Sequence, residues 1–466
     1  MTHDPPVTVG SIETEALTGV FAGLAETAVR HAVLRNYETL PNSVGARDVD
    51  VLVHPDDLER ATRVISGVAK RLDASFAKAY RDDMIVQIIL ARRLGSGKIF
   101  QLKIDLLHNR QIYGVEFLSA EQMLAETHLH NGIPVVADTI RFLDKWLFNR
   151  FVGQPTDKKY NDDFAAIART NREALTDLLA PTIGRERAGS ELEEIAWCRA
   201  SEMAPMPRKT RIGLLAKNAM RRGPTGLARV VRFAYHRASN YLSPKGIFLS
   251  VSGPDGSGKT TVIDLVIADL EVIFGADAIV YRHFRPTVLP RIAEVAKSAG
   301  AVEKVDTDYD RPHRSRPSGT AGSLARIAYY SIDYIGGYVR SVLPELVHRR
   351  VVLFDRYYYD MIADPFRSRI SLPLPLLRMI GRILPKPAHA FFIQVDPDEI
   401  FRRKQELTHA RIVELNHRYE DLARRGWLIL VNNDGAPETA AAAIVDHIIA
   451  AQDSRAQRLL PGAPRP

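Results

Sequence analysis

Two different rhythms of apolar and polar residues run along this chain. In the front half the rhythm is mixed. Helical spacing over Ile12–Arg35 predicts an amphipathic helix, and it returns over Glu121–Leu129, Thr139–Phe151 and Lys159–Leu179. Between these lie apolar runs at Val49–Val53, Met84–Ala91 and Ile99–Leu107, which predict strands. Beyond residue 246 the order becomes regular. Apolar runs at Ile247–Ser252, Ala278–Arg282, Val351–Asp355, Ala388–Val395 and Trp427–Val431 predict strands, and helical patterns separate them. Such βαβα order predicts an α/β unit whose parallel sheet lies between helices. The front half reads as α+β. The tract Glu303–Gly322, rich in Asp, Arg, Pro and Ser, reads as mobile, and so does the tail after residue 450.

Composition narrows the picture. At about 100–200 residues per domain, 466 residues make room for two to four domains. An apolar share of 46% with 25% charged residues excludes a wholly disordered or collagen-like chain. The single cysteine, Cys198, cannot form an internal disulfide, which points to a reducing, cytoplasmic setting. The first residues carry no signal-peptide pattern, and no uncharged apolar run is long enough for a membrane span.

A net charge of +8 is mild for this length and does not by itself indicate nucleic acid. It is unevenly placed, however. From Ala204 to Pro254 there is no Asp or Glu, while Arg208, Lys209, Arg211, Lys217, Arg221, Arg222, Arg229, Arg232, Arg237 and Lys245 all fall there. The stretch reads as a basic connector with one or two short helices. Two readings stay open for it: contact with an anionic membrane surface or nucleic acid, and the plainer one, a solvated linker packed beside its neighbours. The expected layout is therefore 1–200, a basic linker over 201–245, a second domain over 246–450, and a disordered tail over 451–466.

The sharpest chemical signal is Gly253-Pro-Asp255-Gly256-Ser257-Gly258-Lys259-Thr260-Thr261, which fits Gly-x-x-x-x-Gly-Lys-Ser/Thr. A strand pattern leads in and a helical pattern leads out. Polyphosphate needs a concave array of backbone N–H donors, and Gly253, Gly256 and Gly258 keep close approach open. The helix that follows turns its positive end toward the anion. Lys259 is placed to reach the β- and γ-phosphates of ATP, and the Thr260 hydroxyl to ligate Mg²⁺. Asp355 ends a later buried-strand run and suits the role of a second Mg²⁺ partner, while Arg356 suits bidentate grip on an acceptor phosphate. After the Asp396-Pro397 turn comes a basic segment holding Arg402 and Arg403, expected as a lid over the γ-phosphate. Tyr357–Tyr359 fit either base stacking or the core.

On these residues the segment from Gly246 to about Ile449 resembles the thymidylate kinase family of P-loop kinases. The resemblance rests on Pro254-Asp-Gly-Ser-Gly-Lys-Thr-Thr, on Asp355-Arg356-Tyr357, and on the basic lid after Asp396-Pro-Asp398. It implies that Asp255 meets a sugar hydroxyl of the acceptor and that Arg356 meets its phosphate. Arg285 and Asp333 fall near the acceptor in the same comparison. The chain departs from the family at Arg285-Pro286, where a Glu is missing, and at Tyr334, where the family has Arg. The activity implied is Mg-ATP-dependent phosphoryl transfer to a nucleoside monophosphate such as dTMP. Alternatives are a kinase of a sugar or sugar phosphate, and an ATP-binding sensor. The partner implied is a small anionic acceptor, with a homodimer left open.

In the front half, Asp48 and Asp50 alternate with apolar residues, and Asp105 sits in a second apolar run. Three carboxylates at two strand ends suit paired Mg²⁺ ions and nucleotidyl transfer. Over about residues 20–150 this resembles the nucleotidyltransferase fold shared with polymerase β. In place of that family's Gly-Ser pair stand Arg35-Asn36 or Gly45-Ala46.

Overall fold

The computed structural model describes residues 8–460, apart from 46, 198, 286–318 and 406. The chain forms two compact units: Met1–Ala238 together with Ile449–Pro466, and Ser239–Ile448.

The first unit is built on a seven-stranded sheet in the order β3-β4-β5-β2-β1-β9-β8. Its strands are β1 (His31–Arg35), β2 (Val49–Val53), β3 (Ser75–Arg81), β4 (Ile85–Arg93), β5 (Ile99–Leu107), β8 (Thr127–His130) and β9 (Ile133–Val136), with β6 (Arg110–Ile112) and β7 (Val115–Leu118) paired apart. The sheet is mixed: β1 runs antiparallel to β2 and parallel to β9, while β2 runs parallel to β5. Alternation along β2 sends Val49, Val51 and Val53 into one core, with the helices Val9–Glu26 and Leu58–Arg71. Leu52 enters a second core, which includes residues of the helix Asp138–Val152.

Three expectations are corrected here. The helix foreseen over 12–35 stops at Glu26, and Ala28 turns with φ 50° before His31–Arg35 joins the sheet. Pairing with β2 and β9 overrides the helical spacing. Thr127–His130, expected at the end of a helix, likewise pairs with β9. The basic stretch, read above as a connector with one or two short helices, is helical over most of its length. It folds into the helices Arg208–Arg221 and Gly223–Leu242, and Arg222 and Arg229 both hold the buried Glu116 carboxylate, while Arg232 meets Asp83 at 2.8 Å. Finally, the tail is helical through Leu459. Ala456 and Leu460 are buried in the first unit's core, and the Phe76 N–H donates to Asp453 at 2.8 Å. Residues 303–318 of the tract expected to be mobile lie outside the described residues, as do Pro286 and 461–466.

The second unit holds five parallel strands: β10 (Ile247–Ser252), β11 (Ile279–His283), β12 (Val351–Asp355), β13 (His389–Gln394) and β14 (Ile429–Asn432), in the order β11-β12-β10-β13-β14. Every residue of β10 and β12 is buried, as continuous apolar runs flanked on both sides require. The chain runs from β10 to β11 on one side of it and returns from β12 to β13 on the other. The strand order therefore switches at β10, where α/β sheets of this kind place a binding crevice at the strands' carboxyl ends. Among the described residues no helix is long and apolar enough to cross a membrane.

Candidate active site

The loop 253–258 leaves β10 and enters the helix Lys259–Phe274. Gly256 and Gly258 adopt φ 89° and 76°, a left-handed backbone that side chains disfavour. A Cβ on Gly258 would lie 2.9 Å from Asn433 Nδ2, and one on Gly256 would press on Ile400 and Lys404. Asn433, just beyond β14, donates to the Ser257 carbonyl at 2.9 Å and clamps the loop. The Lys259 ammonium is buried and donates to the Pro254 carbonyl at 2.9 Å. Burial, and then the positive charge of Arg356, push it down to about 7. A polyphosphate fits a buried ammonium so placed. Thr260 is exposed at the head of the helix.

Asp355 stands at the end of β12, in register with Val251 of β10. Its Oδ2 lies 3.1 Å from His283 Nδ1 and accepts from the Tyr281 hydroxyl at 3.4 Å. Burial, and then the Asp355 charge, push that phenol up to about 12. Asp355 Oδ1 is buried with no hydrogen-bond partner among the described residues. An orphaned carboxylate oxygen beside a phosphate loop fits a divalent cation. Thr260 and Asp355 thus suit Mg²⁺, and the open glycine cradle suits ATP.

Arg356 is nearly buried and sits at φ 72°, an uncommon backbone for a long side chain. Its conformation is overdetermined. Its N–H donates to the Val251 carbonyl at 2.8 Å, and its guanidinium reaches the Gly253 carbonyl and Asp360, each at 3.2 Å. Asp360 also accepts from the Ser252 hydroxyl at 2.6 Å, the Tyr419 hydroxyl at 2.8 Å and the Tyr357 N–H at 3.1 Å. Asp255 bridges Arg356 and Arg367. Burial alone would raise the Asp255 carboxyl, but the two arginines hold it well below the usual carboxylate range. Asp255, Arg356, Asp360, Asp364, Arg367 and Tyr419 line one small cleft beside Pro254.

Sequence reasoning missed Arg367, Asp360, Asp364 and Asn433. Asp360 lies four positions after Arg356, a spacing that could have pointed to it, while the fold brings Arg367, Asp364 and Asn433 in from elsewhere. Other expected residues lie elsewhere. Arg285 pairs with the fully buried Asp333 at 3.3 Å and stacks on Tyr330 at 4.8 Å. Tyr334 and Tyr357–Tyr359 are core residues, so the base-stacking option closes. In the helix Pro397–Arg403, both Arg402 and Arg403 pair with Glu399, the latter at 2.7 Å. Only Arg403 approaches the loop, 3.8 Å from where a Gly258 Cβ would stand, whereas Arg402 faces solvent.

In the first unit, Asp50 and Asp105 are register partners on β2 and β5. Asp48 joins them through Lys103, whose ammonium lies 2.6 Å from Asp48 and 3.5 Å from Asp105. Arg35 holds Asp50 at 2.6 Å, and Gln87 donates to Asp105 at 3.1 Å. Burial leads the upward shift of both the Asp50 and Asp105 carboxyls. The three carboxylates do converge, but two cations fill the cluster. Among the described residues no group of metal-capable side chains gathers into a metal site. Asp48, Asp50 and Asp105, the residues expected to hold Mg²⁺, here meet Arg35 and Lys103.

No protein-family model matches the chain. It is 25% identical over 158 residues to a "Probable thymidylate kinase" of Pyrobaculum calidifontis, covering 34% of this chain and 68% of that protein. It is 27% identical over 190 residues to a thymidylate kinase of Prochlorococcus marinus, covering 40% of this chain and 84% of that one. Over these 34–40% of its length the chain is homologous to thymidylate kinases. A third such match, at 26% identity to the enzyme of Xanthomonas oryzae pv. oryzae, spans 59% of that protein. A crystal structure of thymidylate kinase from Ehrlichia chaffeensis aligns with 44% of this chain and 99% of its own, at 17% identity and a TM-score of 0.31. The homology accounts for less than half of the chain.

Proposed function

We propose that the Ser239–Ile448 unit transfers the γ-phosphoryl group of Mg-bound ATP to a nucleoside monophosphate, dTMP first among them. One observation carries this reading: a phosphate loop with the buried Lys259 adjoins a cleft where Arg356 and Arg367 share Asp255. The loop amides and Lys259 hold the β- and γ-phosphates. Thr260 and Asp355 would hold Mg²⁺, which when bound would draw charge off the phosphate oxygens. An arriving acceptor phosphate takes the two arginines over from Asp255, and the carboxylate so released meets an acceptor hydroxyl. The acceptor oxygen bonds to the γ-phosphorus, the bond to the β–γ bridging oxygen breaks, and ADP leaves with the electron pair. Positioning and charge stabilisation supply most of the catalysis.

A second reading, a sugar or sugar phosphate as acceptor, draws on the three carboxylates of the cleft, Asp255, Asp360 and Asp364, which suit hydroxyl groups. ADP release assayed across dTMP, dUMP and sugar phosphates separates the two. The expected result is turnover with dTMP, lost by at least about a hundredfold in Lys259→Ala. Turnover with a sugar phosphate alone replaces the first reading by the second. Tight ATP binding with no transfer to any acceptor would leave a nucleotide sensor, and an undiminished rate in Lys259→Ala overturns the kinase reading altogether.

A further inference from the structure

We propose that the helix pair Arg208–Arg221 and Gly223–Leu242 docks the first unit onto the surface of an anionic lipid bilayer. The second helix divides its sides between two tasks. Gly226, Arg229 and Phe233 turn inward: a Cβ on Gly114 would lie 2.8 Å from Val230 Cα, Phe233 meets Tyr113 edge-on at 6.1 Å, and Arg229 holds Glu116. At 100° per residue the opposite side carries Leu227, Val231 and Tyr235, each four positions from the next. They are 64%, 61% and 69% exposed. Large apolar side chains aligned in one stripe on a helix that is already packed on its other side are not accounted for by the unit's own core.

The first helix repeats the arrangement, with Ile212 and Met220 exposed at 55% and 72%. The two helices themselves carry charge of one sign, and Arg232 beside the stripe is paired with Asp83 at 2.8 Å. No acidic residue occurs from Ala204 to Pro254, and Lys209, Lys217 and Arg237 are exposed beside the apolar positions. Apolar side chains on helices whose own charges are all positive complement a surface that is apolar inside and negative at its head groups. Such helices lie in the plane of the bilayer interface, with the apolar side sunk among the acyl chains and the cations at phosphate level. A nucleic acid would satisfy the cations but leave the stripe in water. A second copy of this chain would bring the same positive charge against itself. Anionic lipid is the occupant that satisfies both features.

Co-sedimentation of the full chain with vesicles tests this. One set contains phosphatidylcholine with phosphatidylglycerol, the other phosphatidylcholine alone. The expected result is pelleting with the anionic vesicles only, weakened by salt. The double variant Leu227→Glu/Val231→Glu, altered at two exposed positions, should lose at least about tenfold in vesicle affinity with its melting temperature unchanged. A second variant, Lys217→Glu/Arg237→Glu, leaves the stripe intact and should lose binding through charge. The proposal is overturned if neither vesicle pellets the protein, or if the variants pellet as the parent does. It is also overturned if sedimentation velocity shows a dimer that Leu227→Glu/Val231→Glu dissociates, or if an oligonucleotide binds with an affinity that this variant weakens.

Discussion

Lys259 shows how much of the chemistry rests on one desolvated charge. Burial and the neighbouring Arg356 bring its ammonium from the ordinary 10.5 down to about 7. The folded, ligand-free unit therefore binds fewer protons than the unfolded chain through that interval, and its stability rises with pH across it. Lys259→Met should flatten this dependence and raise the melting temperature at neutral pH while abolishing ATP turnover; melts over a pH series check it. In the parent protein the triphosphate charge restores the ammonium, so ATP binding takes up protons near pH 7 and above. Calorimetry in buffers of differing ionisation enthalpy reads that uptake directly. Arg356 illustrates the complementary case. Its left-handed backbone and buried guanidinium persist because Asp255, Asp360 and two carbonyls meet it. The Asp-Arg-Tyr triplet was legible as a motif; Asp360 sits four positions after Arg356, an ordinary ion-pair spacing that the reading passed over, whereas Arg367 reaches Asp255 from a separate turn that no local spacing announces.

Among the elements, strand ends and one short helix do the positioning. The helix Pro397–Arg403 lays Ile400 and Lys404 against Gly256 and brings Arg403 toward Gly258, while Arg402 points outward. Arg403→Ala should therefore lower kcat well below that of Arg402→Ala, and stability should hardly change in either, since exposed pairs are worth only about 0–1 kcal/mol. Steady-state kinetics and melts of the two variants side by side measure this. In the first unit, β1, β2 and β5 gather Arg35, Asp50, Asp105 and Lys103 into one half-buried polar cluster. Arg35→Met strands the Asp50 carboxylate and should cost about 3 kcal/mol in denaturant unfolding. Because burial raises that carboxyl above its unfolded value, protonation relieves the variant, and its deficit should shrink as pH falls. The two acidic strands were readable from alternation, and pairing with nearby cations was a standing alternative; that Lys103 would lie between Asp48 and Asp105 was decided only when β2 paired with β5.

For the molecule as a whole, the end of the chain contributes to the first unit, not the second. Ala456 and Leu460 fill its core, so Ala456→Asp buries a charge there and should cost about 2–4 kcal/mol. In a two-step melt, the transition of the first unit should move down while that of the phosphate-loop unit stays. Local chemistry was enough to establish the α/β alternation after residue 246, the phosphate loop and the Asp355–Arg356 pair, because glycine positions, buried-strand runs and capping geometry act over a few neighbouring residues. Long-range pairing had to choose the rest. It made a strand of His31–Arg35 where spacing suggested helix, recruited the tail into a distant core, and set Asp255 between two arginines. Each of these depends on which surfaces meet, and no window along the chain contains that information.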